Sequence, residues 1–167
     1  MNRLQFHFLI LFCLLALSAC GFHTRGVADL SFHTIYVQNG GTIMPDLKRL
    51  LLNNKVKILP APDQAEMLLE VMKETTEKRI LSLSGGGKVK EYELVYRITF
   101  RTKQAGSELW SEPQTVEDMR DFSYDDSQLL AKDYEEARLY SDMRADAARK
   151  IMRRLSALKN DQPSAAN

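Results

Sequence analysis

Cysteine is nearly missing from this chain, with only Cys13 and Cys20 in 167 residues. Cys13 falls inside an apolar leader, which leaves nothing to pair with Cys20 and excludes a disulfide framework. Histidine is scarce too. His23 and His33 have no second nitrogen or thiolate at metal spacing, so both read as surface or structural residues, and neither a metal nor another cofactor is expected. The 23 basic and 22 acidic residues nearly cancel, which excludes a general affinity for nucleic acid. Catalytic signatures are lacking as well. Ser84-Gly85-Gly86-Gly87-Lys88 is followed by Val89, where a phosphate loop needs Ser or Thr to reach magnesium. No Gly-x-Ser-x-Gly elbow occurs. Asp125-Asp126 and Glu135-Glu136 are neighbours, which point apart on a helix rather than meeting as a paired acid and base. No catalytic residue is assigned; a carboxylate pair drawn from distant strands would not be visible in sequence.

What the chain does have begins at its start. Met1-Asn2-Arg3 carries one positive charge, and Phe6 to Leu17 is apolar except for His7, a run too short and too abruptly ended for a spanning helix. It closes on Leu17-Ser18-Ala19-Cys20, small residues set immediately before a cysteine, which resembles the bacterial lipobox. A lipidating enzyme alkylates such a thiol and a peptidase then cuts before it, so residues 1–19 read as a lipoprotein signal peptide and Cys20 as the lipidated mature N-terminus. The other reading is an ordinary cleavage site with Cys20 unmodified. Gly21 stands where an aspartate, in enteric-type sorting, retains a lipoprotein in the inner membrane. The periplasmic side of the outer membrane is therefore the expected destination.

Beyond the leader, about 150 residues remain, enough for one core. Residues 20–30 read as a tether, 31–159 as a single domain and 160–167 as a disordered tail. Phe32 to Val37, rich in β-branched and aromatic residues, predicts a first strand. Thr42 is placed to cap a short helix with Pro45 in its first turn and Ile43, Leu47, Leu50, Leu51 and Asn54 at helical spacing. Val56 to Leu59 gives a brief strand stopped by Pro60-Ala61-Pro62. A long strand from Glu66 to Leu81 puts Met67, Leu69 and Val71 on one face and leaves its far end exposed. From Glu91 to Lys103, Tyr92, Leu94, Tyr96, Ile98 and Phe100 alternate almost perfectly with polar residues, so one face is buried and one wet. Ser82 to Lys90 between them is a flexible hairpin loop. Glu108 to Phe122 is a weaker strand, with Pro113 marking an edge or bulge.

A long helix then runs from Asp126 to Lys159. Its apolar stripe is Leu130, Tyr134, Ala137, Tyr140, Met143, Ala147, Ile151, Leu155 and Leu158, spaced about 3.5 residues on average. Asp125 and Asp126 suit its N-terminus, while Arg149, Lys150, Arg153, Arg154 and Lys159 suit its C-terminus, as the macrodipole favours. The expected class is α+β: a two-layer sandwich with a mixed four- or five-stranded sheet and two helices packed on one face.

Four stretches together carry a family resemblance: Cys20-Gly21-Phe22-His23-Thr24-Arg25-Gly26 behind the lipobox, Glu91-Tyr92-Glu93-Leu94 at a strand start, Leu130-Ala131-Lys132-Asp133-Tyr134-Glu135 opening the long helix, and Met143-Arg144-x-Asp146-x-Ala148 with Ile151-x-x-Arg154-Leu155 closing it. In this order they span nearly all of the mature chain and resemble the LPS-assembly lipoprotein family LptE. The resemblance implies a noncatalytic outer-membrane lipoprotein, partnered with the LptD β-barrel as a plug and assembly aid, that binds lipopolysaccharide and helps deliver it to the cell surface. Lys132 carries over from the family as one ligand contact, since lipid A phosphates favour Lys or Arg. Where relatives can carry an arginine at the hairpin tip, this chain has Gly85-Gly86-Gly87. Lys88, Lys90 and Arg79 either supply that charge or merely solubilise the hairpin. Two other functions remain open in sequence: an adaptor lipoprotein of another envelope lipid-trafficking system, and a lipid-anchored hydrolase, which lacks a nucleophile and base.

Overall fold

The structure, a computed structural model, describes residues 30–158. The leader, Cys20, His23, Lys159 and the tail expected at 160–167 lie outside the described residues.

The segments that alternate in sequence become a mixed five-stranded sheet, β1 (Thr34–Gln38), β2 (Lys57–Ile58), β3 (Met67–Leu83), β4 (Val89–Gln104) and β5 (Gln114–Ser123), in the order β2-β1-β3-β4-β5. β1 runs parallel to β2 and β3, whereas β3, β4 and β5 are successively antiparallel. Helices α1 (Met44–Asn53) and α2 (Leu129–Ala157) cover one face, so the α+β sandwich expected from sequence is the observed class. Ile43, Leu47 and Leu51 from the α1 region, Met143, Ala147, Ile151 and Leu155 from α2, and Leu94, Tyr96, Ile98 and Phe100 from β4 form one buried core. Among the described residues, no helix is long and apolar enough to cross a membrane.

Three local expectations need correction. First, Thr42 does not cap α1 through its own side chain. Its backbone N–H donates to Glu74 Oε2 at 2.9 Å and its hydroxyl donates to Glu74 Oε1, so a carboxylate from β3 holds the helix start. A negative charge there also suits the helix dipole. Second, the hairpin loop is shorter than expected. β3 and β4 extend to Leu83 and Val89, and Ser84 N–H donates to Lys88 O at 2.8 Å, with Gly87 at φ +76°, where a Cβ is unfavourable. Third, β5 starts only after Pro113, because Ser111 folds back instead: its N–H donates to Thr102 O and its hydroxyl accepts from Thr102 N–H. β5 is an edge strand, in keeping with that proline.

The long helix differs in a way that matters for function. Met143, Ala147, Ile151 and Leu155 are buried, but Leu130, Tyr134 and Ala137 face outward, Tyr134 being 79% exposed. Stepping back by three residues, 143 to 140 to 137 to 134, turns the position by about 60° each time on a helix of 3.6 residues per turn. Three such steps carry Tyr134 to the far side. The sheet-facing line is instead Lys132, Glu136, Leu139 and Tyr140, all partly buried. Leu130→Ala is accordingly expected to change stability by less than about 0.5 kcal/mol in chemical denaturation, as for an ordinary surface site.

Candidate functional site

β3 and β4 pair from Met67 opposite Gln104 to Leu83 opposite Val89, and the register slips between Val71 and Lys73. Met72 is the extra residue of that bulge. Up to Val71 the odd-numbered residues face the helices; beyond it, Glu74 pairs with Ile98, Thr76 with Tyr96 and Lys78 with Leu94, so the even-numbered ones do. Strict alternation from Met67, Leu69 and Val71 would put Arg79 beneath the helix; the bulge puts Lys78 there instead.

Lys78 meets an aromatic floor at the hairpin end of the sheet. Its Nζ lies 4.3 Å from the centroid of Tyr92, and 5.5 Å from those of Phe122 and Tyr124. Tyr124 packs edge-on against Tyr92, at 5.2 Å between centroids, and against Phe122 at 6.4 Å. From above, α2 contributes Lys132, whose Nζ is 5.4 Å from the Phe122 ring. Two ammonium groups thus rest on one aromatic cluster, each favoured by the negative ring faces. Each also holds a carboxylate of α2: Lys78 donates to Glu136 at 2.5 Å and Lys132 to Glu135 at 2.9 Å. Only 15% of the Lys132 side chain is exposed, against 79% for Lys88, which marks Lys132 as a placed group rather than a solubilising one. Tyr140 fixes the helix over this floor by donating its hydroxyl to Glu77 O at 2.9 Å. Burial, aided by the Glu136 and Glu77 charges, raises its phenol pKa.

Lys88 and Lys90 lie beside the same cluster. They line an open cleft of about 500 Å³ with Ser84, Tyr124, Asp125 and Asp126. Asp125 accepts from the Ser127 hydroxyl at 2.7 Å and its N–H at 2.9 Å, and these bonds lower its pKa. Sequence placed Asp125 here for its charge; it also caps the 3-10 turn Asp126–Gln128 that leads into α2. Lys88 reaches Asp126 at 3.9 Å. The structure therefore brings Lys132, Lys88 and Lys90 to one end of the sheet, linked through Phe122 and Tyr124. It does not bring Arg79 to them.

Arg79 stands on the opposite, helix-free face. It donates to both carboxylate oxygens of Glu77 and lies 3.5 Å from Glu93. The hydrogen bonds from Arg79 lower the pKa of Glu77. That face is a lattice of such pairs, with Arg97 on Glu117, Arg101 on Glu70 at 2.5 Å and Thr99 against Thr115, and beneath it Val95 is almost completely covered. The basic residues late in α2 also act beyond the dipole. Lys150 donates to Glu117 O at 3.0 Å and Arg154 to Thr115 O at 2.9 Å, capping carbonyls along the free edge of β5.

Sequence reasoning missed Lys78, Glu136 and the Tyr92, Phe122 and Tyr124 floor. Of the aromatics, Tyr92 alone is read as core-facing from the alternation of β4; Phe122 ends a weaker strand and Tyr124 lies beyond it. Lys78 becomes legible only once Met72 is known to be bulged.

Comparison with known proteins agrees with this architecture. A sequence model described as "LptE: Lipopolysaccharide-assembly" matches residues 32–155. A relative from Pectobacterium atrosepticum, named "LPS-assembly lipoprotein LptE", is 24% identical over 151 residues, covering 87% of this chain and 81% of its own length. The solution structure of lipoprotein B from Nitrosomonas europaea superposes with a TM-score of 0.71 at 38% identity, over 84% of this chain and 94% of that one. The crystal structure of the rare lipoprotein B from Shewanella oneidensis gives 0.68 at 27% identity, over 77% and 97%.

Proposed function

Because the chain belongs to the lipopolysaccharide-assembly family LptE, we propose that it is a noncatalytic lipoprotein held by acyl chains on Cys20 at the periplasmic side of the outer membrane, where it plugs the LptD β-barrel, aids its assembly and helps pass lipopolysaccharide outward. The observation that carries the ligand part is the pair Lys78 and Lys132 on their aromatic floor, with Lys88 and Lys90 alongside. Phosphate groups of an amphiphile meet cations there. Ile80, Leu83, Leu130 and Tyr134, all more than half exposed at the same end of the molecule, offer apolar surface to its acyl chains. The charged, helix-free face of the sheet suits a barrel lumen, which is itself polar.

The polarity of the molecule supports the same reading. β1 begins beside Met67, at the end of the sheet away from the hairpin, so a tether from Cys20 enters at one pole and the basic site lies at the other. Lys78 lies 11 residues along β3 from Met67, which separates the two by roughly 36 Å at about 3.3 Å per residue. An anchored chain can thereby hold the site well away from the membrane surface that carries it.

Affinity purification of the full-length chain from detergent-solubilised outer membrane is expected to recover a large β-barrel in roughly equal amount. Recovery of the lipoprotein alone overturns the partner assignment, and recovery of an inner-membrane or periplasmic machine favours an adaptor of another envelope system. For the ligand, Lys132→Asp is expected to weaken lipopolysaccharide binding more than Lys159→Asp. Equal losses would mean that only net charge matters.

A further inference from the structure

The two lysines of the site are not free cations, and their occupants define what can replace them. Glu136 accepts from Lys78 at 2.5 Å with only 22% of its side chain exposed, and Glu135 accepts from Lys132 at 2.9 Å. Both carboxylates sit on α2, the layer above the aromatic floor. A ligand phosphate therefore does not fill an empty site; it competes with a carboxylate for the same ammonium.

Resting on the lipid-binding reading above, we propose that Glu136, assisted by Glu135, is a specificity-determining residue that filters anionic amphiphiles by phosphate type, admitting phosphomonoesters and rejecting phosphodiesters. A phosphodiester, as in phosphatidylglycerol, carries one charge. Exchanging it for Glu136 on Lys78 replaces like with like and gains almost nothing. A phosphomonoester carries roughly −1.5 to −2 and three strong acceptor oxygens, so it outcompetes a carboxylate on the same ammonium. An amphiphile with two such groups can displace both carboxylates together, with Lys88 and Lys90 beside the cluster to take the surplus charge. The filter matters because phosphodiester lipids are abundant in a cell envelope and would otherwise compete for any basic site open to amphiphiles.

The test uses the full lipidated chain in neutral detergent micelles, with fluorescent diphosphoryl lipid A displaced by unlabelled diphosphoryl lipid A or by phosphatidylglycerol. The wild type is expected to prefer diphosphoryl lipid A strongly. Glu136→Gln keeps the side chain's shape and an acceptor for Lys78 but removes the competing charge. It is expected to raise phosphatidylglycerol affinity about fivefold to tenfold, the scale of one net hydrogen bond, and so to narrow the preference. A thermal melt of each variant reports folding, and Glu135→Gln provides a second variant should Glu136→Gln be unstable. If the Gln variants keep the wild-type preference while Lys132→Asp still weakens lipid A binding, the filter is overturned and the binding site stands. If the wild type binds neither lipid, the binding site itself is wrong and the filter falls with it.

Discussion

Cys20→Ser is expected to abolish incorporation of labelled palmitate and to release the chain from membrane binding that depends on its own anchor. Each acyl methylene buried in a bilayer contributes about 0.8 kcal/mol, so two or three chains hold a protein stably and their loss removes the whole of that term at once. Folding should be untouched. Leu30, ten positions beyond Cys20, packs against the core, and among the described residues the buried cluster starts at Phe32. The two readouts separate two origins of membrane attachment. A serine variant that loses the label yet still sediments with membranes is held by its barrel partner, whereas one that keeps the label shows that Cys20 is not the acylated residue. Circular dichroism on the released protein should match the wild type, which distinguishes loss of an anchor from loss of a fold.

Much of this architecture is legible in sequence wherever one periodicity runs without interruption. β4 is the clearest case: Leu94, Tyr96, Ile98 and Phe100 are all fully buried, as period two requires. The short helix α1 is equally plain, since Ile43, Leu47 and Leu51 keep steps of four and all are buried. Legibility fails where a period slips. A single extra residue at Met72 inverts the side chains of β3 from Lys73 to Ile80, which exchanges Arg79 for Lys78 beneath the helix. In α2, steps of three and four look alike when averaged, but repeated steps of three rotate the stripe off the core. The apolar Leu130 and Tyr134 are therefore outside, while the charged Lys132 and Glu136 are within. Both errors fall at the hairpin end of the molecule, where the candidate site lies. There the core is thin enough to accept charged groups, provided they are paired and set against aromatic rings.

Glu74 presents the opposite case, a charged residue whose value to the fold is invisible in sequence. Its carboxylate accepts from Thr42 N–H at 2.9 Å, from the Thr42 hydroxyl, and from the Tyr96 hydroxyl at 2.6 Å, joining α1, β3 and β4 at one point. Gly41 makes room for it. That residue lies at φ +57°, and a Cβ there would collide with Glu74 Oε2. Glu74→Ala is expected to cost about 2–4 kcal/mol, because it leaves the hydroxyl of the fully buried Tyr96 and the Thr42 N–H and hydroxyl near the helix start without their acceptor. Tyr96→Phe removes one donor and leaves the carboxylate its other partners, so a loss of about 1 kcal/mol is expected. Urea denaturation checks both, with the exposed Glu108→Ala as reference; a Glu74→Ala loss no larger than that reference would remove the latch from the account. Alkaline pH supplies a further signature. Burial first, then the hydrogen bond to Glu74 and its charge, push the Tyr96 phenol far above its ordinary value of 10.0. Above that value the unfolded chain loses the proton while the folded one keeps it, so the folded state binds more protons and stability falls as pH rises. Below it the contribution is fully present. Tyr96→Phe should therefore flatten the decline in stability above pH about 10 that the wild type shows.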